Sequence, residues 1–276
     1  MQSLQTLIDL LEKGRNIHIS ILDLNGILTS EEMKLKQKST IHSKHICTLA
    51  KATKAGYQTC VFNKAKANQK AIEGRKAFCG HCVYGIFEFA MPIIINQKVS
   101  AIVYVGNAIL DSAKTVSKLE KTCEVTGTSA EKIKAALAEC ERIKSPDELS
   151  QVAEIVADYL KILYKSSSKT DSNTHWLVAL MKQYADENYL SEIHLKDIAI
   201  TYKHNEKYIG RLFKSEIGIS FSEYCNELRL NKAVKLISEG EKRIIDIAME
   251  CGFENVTYFN RLFKRKFGTS PSKYIP

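Results

Sequence analysis

Tyr208-Ile209-Gly210-Arg211-Leu212-Phe213-Lys214 returns fifty positions later as Tyr258-Phe259-Asn260-Arg261-Leu262-Phe263-Lys264. Each copy runs on through the same landmarks: Gly218 and Gly268, Ser220 and Ser270, Ser222 and Ser272, Tyr224 and Tyr274. Shared composition does not produce that order. Two copies are too few for a solenoid, which needs about three repeats to bury a continuous core. The duplication points instead to recognition at two sites.

The residues around each copy say what is duplicated. Ile244 to Cys251 is a short amphipathic segment closed by Gly252, the residue best suited to the left-handed conformation that ends a helix. A new helix is predicted from about Glu254-Asn255. A helix, a glycine-containing turn and a second helix of this length match a helix-turn-helix, whose second helix enters the major groove of DNA. The first copy runs from Leu195 to Thr201, turns through Tyr202-Lys203-His204 without glycine, and restarts with Asn205 as its N-cap. The boundaries are about 195–217 for the first unit and 244–267 for the second. A helix over 221–238 joins them, with Tyr224, Leu228, Leu230, Ala233, Val234 and Ile237 on its apolar face. Further helices are predicted over 175–189 and in a last turn at 271–274, so residues 175–276 form an all-α domain of ordinary size.

Helical spacing sorts the faces of the two second helices. Ile209, Leu212, Phe213 and Ile217 fall together in the first; Phe259, Leu262, Phe263 and Phe267 do so in the second. Outward lie Lys203, Lys207, Arg211 and Lys214, at spacings of 4, 4 and 3, and in the second copy Thr257, Asn260, Arg261 and Lys264, with Arg265 and Lys266 nearby. A single basic stripe is ordinarily a solvated helix face; two like stripes inside a repeated helix-turn-helix argue for DNA. Arg can bond both acceptors of guanine, Asn can do the same with adenine, and Lys neutralises phosphate. Arg211, Asn260 and Arg261 are therefore the base-contact candidates. Lys207 and Thr257, near the helix starts, suit either task. Lys214 and Lys264 suit phosphate, and Asn255 completes the DNA-binding set.

With these residues in view, the last hundred positions resemble the AraC/XylS-type transcription regulators. The likeness rests on the first repeat with its Gly218 and Tyr224, on Leu228 to Val234, and on the run from Ile247 through Gly252-Phe253, Asn255, Tyr258 and Arg261 to Gly268, Ser270-Pro271 and Tyr274. It implies binding of double-stranded promoter DNA by both units and activation through RNA polymerase. Two positions depart from the family pattern. His204 stands where an apolar residue is usual, and Gly210 stands where a longer side chain is common, which would leave the first unit fewer base contacts.

Lys165 to Asn173 is a sustained stretch without apolar residues and reads as a flexible linker at 166–174. Upstream, Ile17 to Asp23 alternates like a strand and leads into an Asn25-Gly26 turn and a second short apolar segment. Residues 31–76 lean helical. Val83 to Ile95 and Val99 to Gly106, separated by Asn96-Gln97-Lys98, read as a β-hairpin. Residues 111–165 carry no strand signal, and Pro146-Asp147-Glu148-Leu149 opens a helix with Leu149, Val152, Val156, Tyr159 and Leu163 on one face. That face either packs on its own domain or forms a dimer seam. The fold class is α+β: a mixed domain over 1–165 and the all-α domain after it. Ser20 to Gly26, and Gly85 with Phe87 to Ile93 and Val103 to Asn107, resemble the PocR-type sensory domain. That resemblance implies a PAS-like fold and binding of a small organic effector such as a hydrocarbon or diol derivative. A homodimer formed through residues 1–165 is expected besides.

Eight cysteines without a secretion signal read as reduced thiols, ligands or core residues. Cys79-Gly80-His81-Cys82 has redox spacing, but it leads into a strand, where the helix N-terminus that lowers a thiol pKa is missing. With Cys47 and Cys60 it could form a four-thiolate site for zinc or an iron–sulfur cluster. Both that metal- or redox-responsive reading and plain packing of free thiols stay open; Cys225 and Cys251 read as packed. An enzyme with a thiol or metal centre fused to a DNA-binding module is the remaining rival, and no carboxylate pair, nucleophile triad or phosphate loop supports it. The net charge is +9, yet the excess sits mostly before residue 170, with 24 Lys+Arg against 17 Asp+Glu there and 16 against 14 beyond. Charge placement on particular helices therefore matters more than the total. No run approaches the roughly 20 apolar residues of a membrane span, and the expected location is the cytoplasm.

Overall fold

The computed structural model describes residues 2–40, 42, 44–166, 175–191, 193–240 and 242–274. It divides into two compact units, 1–176 and 177–276. The linker expected at 166–174 lies, apart from Ser166, outside the described residues.

The first unit runs α1 (Leu4–Glu12), β1 (His18–Asp23), α2 (His45–Ala50), α3 (Lys54–Gly74), β2 (Phe78–His81), β3 (Phe87–Ile95), β4 (Lys98–Ile109), α4 (Ser112–Thr126), α5 (Ala130–Ala136), β5 (Glu141–Arg142) and α6 (Asp147–Ser166). The strands form one antiparallel sheet in the order β1-β4-β3-β2, with β5 added in parallel to the far end of β4. The expected hairpin is β3–β4. Asn96 and Gln97 both take positive φ, the conformation of a two-residue turn whose twist matches its strands.

Two sequence expectations need correction here, and the short apolar segment after Asn25-Gly26 finds its place. It joins no strand: β1 pairs with β4, and the Asp23 carboxylate accepts the backbone N–H groups of Asn25, Ile27 and Leu28, folding the chain back as a loop. The hairpin's first strand begins at Phe87 rather than Val83. Cys82 to Ile86 is a turn closed by Cys82 N–H to the Ile86 carbonyl at 2.8 Å, and Phe78–His81 is a separate strand. Finally, residues 111–165 do contain a strand, the two-residue β5, which owes its pairing to the end of β4 rather than to any local pattern.

Alternation gives the sheet two unlike faces. Ile19 and Ile21 of β1, Ala101, Val103 and Val105 of β4 and Ile93 of β3 enter one apolar core with α1 and α6. Leu149, Val152, Val156, Leu160 and Leu163 of α6 close that core, each contributing about 1.5–3 kcal/mol by burial. The stripe at Leu149, Val152, Val156 and Leu163 therefore packs on its own domain. A second apolar cluster joins α2, α4 and α5 through Ile46, Leu119, Ile133 and Cys140.

Helices are the regular elements of the described residues from the unit boundary onward: α7 (Trp176–Asn188, which starts one residue before that boundary), α8 (Leu195–Thr201), α9 (Glu206–Ile217), α10 (Phe221–Glu239), α11 (Ile244–Glu250), α12 (Val256–Phe267) and a 3₁₀ turn at Pro271–Lys273. A capping box starts α10, in which the Ser220 side chain and Glu223 satisfy each other's exposed N–H groups, and Gly240 at φ 71° ends it.

Candidate nucleic-acid interface

Each helix-turn-helix is built from one short and one longer helix. In the first, the Asn205 side chain accepts from the backbone N–H groups of Lys207 at 2.9 Å and Tyr208 at 3.2 Å, which starts α9. In the second, Asn255 does the same for Tyr258 at 2.9 Å, which starts α12. Gly218 and Gly268, at φ 88° and 78°, end the two helices by donating to the carbonyls of Lys214 and Lys264.

The turns match bond for bond until just before the second helix. Tyr202 donates to Ile198, Lys203 to Ile200 and His204 to Ala199; Cys251 donates to Ile247, Gly252 to Met249 and Phe253 to Ala248. The equivalent residues are here forty-nine apart, while those of α9 and α12 are fifty apart, so Glu254 is an extra residue in the second turn. Lys203, at φ 54°, occupies the left-handed position that Gly252 fills at φ 81°. His204 matches Phe253, which is buried; His204 is half-buried and lies beside the Tyr208 ring at 6.1 Å.

Burial follows the helical period. Ile209 and Phe213 are fully buried in α9, as are Phe259 and Phe263 in α12, with Leu262 nearly so. Lys207, Arg211 and Lys214 are exposed on α9; Thr257, Asn260, Arg261 and Lys264 are exposed on α12. Among the described residues the side chains of Lys207, Arg211 and Lys264 carry no hydrogen bond or ion pair, so their charge is available to a ligand. Gly210 is half-buried against α8, where a Cβ would stand 3.1 Å from Leu195 Cδ2; its counterpart Asn260 is exposed.

Asn255, Thr257, Tyr258 and Arg261 line a shallow open recess at the start of α12. The Asn255 carboxamide oxygen is spent on the cap, leaving its NH₂ group to face outward chemistry. Arg261 stands over the Tyr258 ring at 5.3 Å, and the Tyr258 hydroxyl accepts from Asn226 of α10 at 3.1 Å. That chain of contacts presets the Arg261 guanidinium. Lys266 is held differently, donating to Asn231 of α10 at 3.0 Å.

Sequence reasoning missed the residue that ties the two units together. Arg229 of α10 donates to the carbonyls of Tyr189 and Ser191, in the connection before α8, and its guanidinium lies 5.8 Å from the Phe253 ring in the second turn. A lone Arg on an intervening helix has no local signature for such a clamp.

The cysteines differ in their surroundings. Cys47, Cys60 and Cys82 pack against the α2–α4–α5 cluster, and burial pushes the Cys60 thiol up to about 11 and those of Cys47 and Cys82 upward as well. Cys79 is exposed on β2, opposite Phe89. Among the described residues no group of three or more His, Cys, Asp or Glu side chains could hold a metal ion. Cys225 and Cys251 are buried in the second unit.

Two helix-turn-helix units on one helical scaffold, each with an exposed cationic second helix and preceded by a separate sheet domain, define a DNA-binding transcription regulator with a sensory domain. The model described as "Sensory domain found in PocR" matches residues 1–168, and the one described as "Helix-turn-helix domain" matches 198–275. The chain belongs to the AraC-type regulators that carry a PocR sensory domain. It is similar to the HTH-type transcriptional regulator YijO of Escherichia coli (strain K12), at 32% identity over 132 residues, 47% of each chain. It is also similar to the HTH-type transcriptional activator RhaS of Escherichia coli O139:H28, at 27% over 145 residues, 51% of this chain and 52% of that one. The chain spans about half the length of these curated relatives. Among solved structures, the C-terminal domain of AraT, a response regulator from Geobacillus stearothermophilus, shares 30% identity, with 36% of this chain and 82% of that one covered and a TM-score of 0.34. No helix among the described residues is long and apolar enough to cross a membrane.

Proposed function

We propose that residues 175–276 read double-stranded promoter DNA through both units, with α10 as the linker that sets their separation. Arg211, Asn260 and Arg261 contact base edges, Lys207, Asn255 and Thr257 contact bases or backbone at the helix starts, and Lys214 and Lys264 hold phosphate. The observation that carries this reading is the pair of exposed cationic faces on α9 and α12, whose buried faces follow the same internal pattern. Residues 1–165 form a PAS-like domain that binds a small organic effector and dimerises, and the effector-bound protein activates transcription in the cytoplasm through RNA polymerase. The raised thiols of Cys47, Cys60 and Cys82 speak for packing over redox sensing, since the thiolate is the reactive form.

The test is competition binding between the protein's own upstream region and random duplex at fixed salt. Specific regulators favour their site by about 10³-fold or more. Equal affinity for the two duplexes would defeat the reading.

A further inference from the structure

The sheet face turned away from α6 sets buried polar groups among apolar neighbours such as Leu22 and Ile102. His18 and Ser20 of β1 and Ser100 of β4 are buried there, on the strand positions that alternate with the core residues Ile19, Ile21 and Ala101. Above them α3 turns Lys64 and Asn68 inward, one helical turn apart. Lys64 Nζ lies 3.0 Å from the Tyr104 ring centre, and Asn68 accepts from the Tyr104 hydroxyl at 2.6 Å. Glu88 is brought to the same place by two devices. It sits at the register shift between Phe87 and Phe89, where a bulge re-aims the side chain, and it crosses Gly106, where a Cβ would come within 2.9 Å of Glu88 Cγ.

His42 completes the cluster, its Nδ1 being 2.9 Å from Glu88 Oε1 and its Nε2 2.7 Å from Lys64 Nζ, while Lys64 Nζ is 3.8 Å from Glu88 Oε2. Burial lowers His42 to about 4, so the imidazole is neutral: it donates from Nδ1 to Glu88 and offers the Nε2 lone pair to Lys64. Desolvation lowers Lys64 to about 8 against the opposing pull of Glu88, while the Lys64 charge and the hydrogen bond from His42 hold Glu88 down at about 2 despite its burial. The side chains of Lys64, His42 and Glu88 keep 24%, 21% and 17% of their exposure, so the cluster is not sealed from solvent.

We propose that Lys64 captures a small aldehyde or ketone as a reversible imine, with His42 moving the proton and Glu88 balancing the charge. The inference rests on the reading of the first unit as a sensor and names the chemistry of its effector. The steps balance. His42 Nε2 takes a proton from the Lys64 ammonium, and the freed lone pair attacks the carbonyl carbon, forming a C–N bond as the C=O π pair moves to oxygen. The oxygen then gains two protons, one returned by His42 and one given up by the new C–N nitrogen, so that it departs as water and a protonated imine remains. Ammonium and carbonyl compound go to protonated imine and water, with no oxidant or reductant. The nitrogen carries one positive charge before and after, so the single Glu88 carboxylate serves both states.

A lysine at about 8 is free base in about one molecule in ten at pH 7, against about one in three thousand for an ordinary lysine. That ratio makes the test selective. The full chain is treated with acetaldehyde at limiting cyanoborohydride near pH 7, and alkylation is read lysine by lysine by peptide mass mapping. Lys64 is expected to be trapped at least tenfold faster than the open lysines Lys34 and Lys36. Trapping no faster than theirs overturns the proposal, and because the ranking is read on unaltered protein, no variant has to fold. Ethanol, which cannot form an imine, should give no thermal shift where acetaldehyde gives one; equal shifts would mean non-covalent binding and also overturn it. Operator affinity measured with acetaldehyde on wild type and Lys64→Arg separates the two readings. Selective trapping without a change in operator affinity keeps the Lys64 chemistry and removes its role as the sensory signal.

Discussion

The two helix-turn-helix units make the same turn with different residues. In the second, glycine takes the left-handed position, the following aromatic is buried, and one extra residue precedes the helix. In the first, Lys203 takes the left-handed position, a half-buried histidine follows, and the turn is one residue shorter. The same backbone hydrogen bonds close both turns, so one geometry is held with different side chains at the left-handed position, at an energetic cost where that residue is not glycine. The second unit is thereby the better determined of the two. It also carries Asn260 where the first has Gly210, and it sets Arg261 on Tyr258.

The largest expected effect comes from making the turns alike in the wrong direction. A Cβ at Gly252 would stand 2.7 Å from the Leu190 carbonyl oxygen and 3.3 Å from Arg229 Nε, in a conformation that L residues rarely adopt. Gly252→Ala should destabilise the second unit by about 2–4 kcal/mol, combining left-handed strain with displacement of backbone. Because Leu190 lies between the carbonyls of Tyr189 and Ser191 that Arg229 clamps, the damage should spread to the first unit. Urea unfolding followed by helical circular dichroism checks it; an unchanged midpoint would show that the turn relaxes freely and that the two units are independent.

Next come the exposed faces. Arg261→Ala should cost about 1–3 kcal/mol and relax base preference at one position of the operator. Arg211→Ala should cost less, because among the described residues its guanidinium makes no ring contact like that of Arg261 with Tyr258. Binding to single-base operator variants reads both numbers, and a larger loss at Arg211 would invert the asymmetry. Lys214→Ala and Lys264→Ala should weaken binding to all duplexes alike and lower the salt slope by about one. A change of base preference in either would place that helix deeper in the groove than its position suggests.

How much of this was legible depended on whether the cause was local. The helices of the second unit follow from caps and period: Asn205, Asn255, Gly218, Gly252 and Gly268 punctuate the chain, and Ile209, Phe213, Phe259 and Phe263 fix the buried faces. The first unit was less open to reading. β5 exists only because the end of β4 offers it a partner, and Glu88 meets His42 and Lys64 only because a bulge and Gly106 bring distant segments together. Lys203 shows the same limit at one residue. Aligning the two copies by the fifty-residue repeat alone sets Tyr202 against Gly252 and hides the true equivalence, which the backbone hydrogen bonds reveal.

That equivalence yields the smallest predicted effect and the most discriminating one. If packing imposes the left-handed turn, Lys203→Gly removes strain that a lysine bears at φ 54° and should stabilise the protein. Glycine also gains freedom in the unfolded chain, which offsets part of the relief, so the net gain should be up to about 1 kcal/mol. The sign is opposite to that of Gly252→Ala at the structurally equivalent position. Lys203 also stands on the outward stripe of the first unit, so the same substitution removes a charge from the face proposed to meet DNA. Stability and binding should therefore move in opposite directions, with a higher urea midpoint and slightly weaker binding to every duplex. A lower midpoint would mean that contacts of the Lys203 side chain outweigh its backbone strain, and the kinship of the two turns would then be geometric without being energetic.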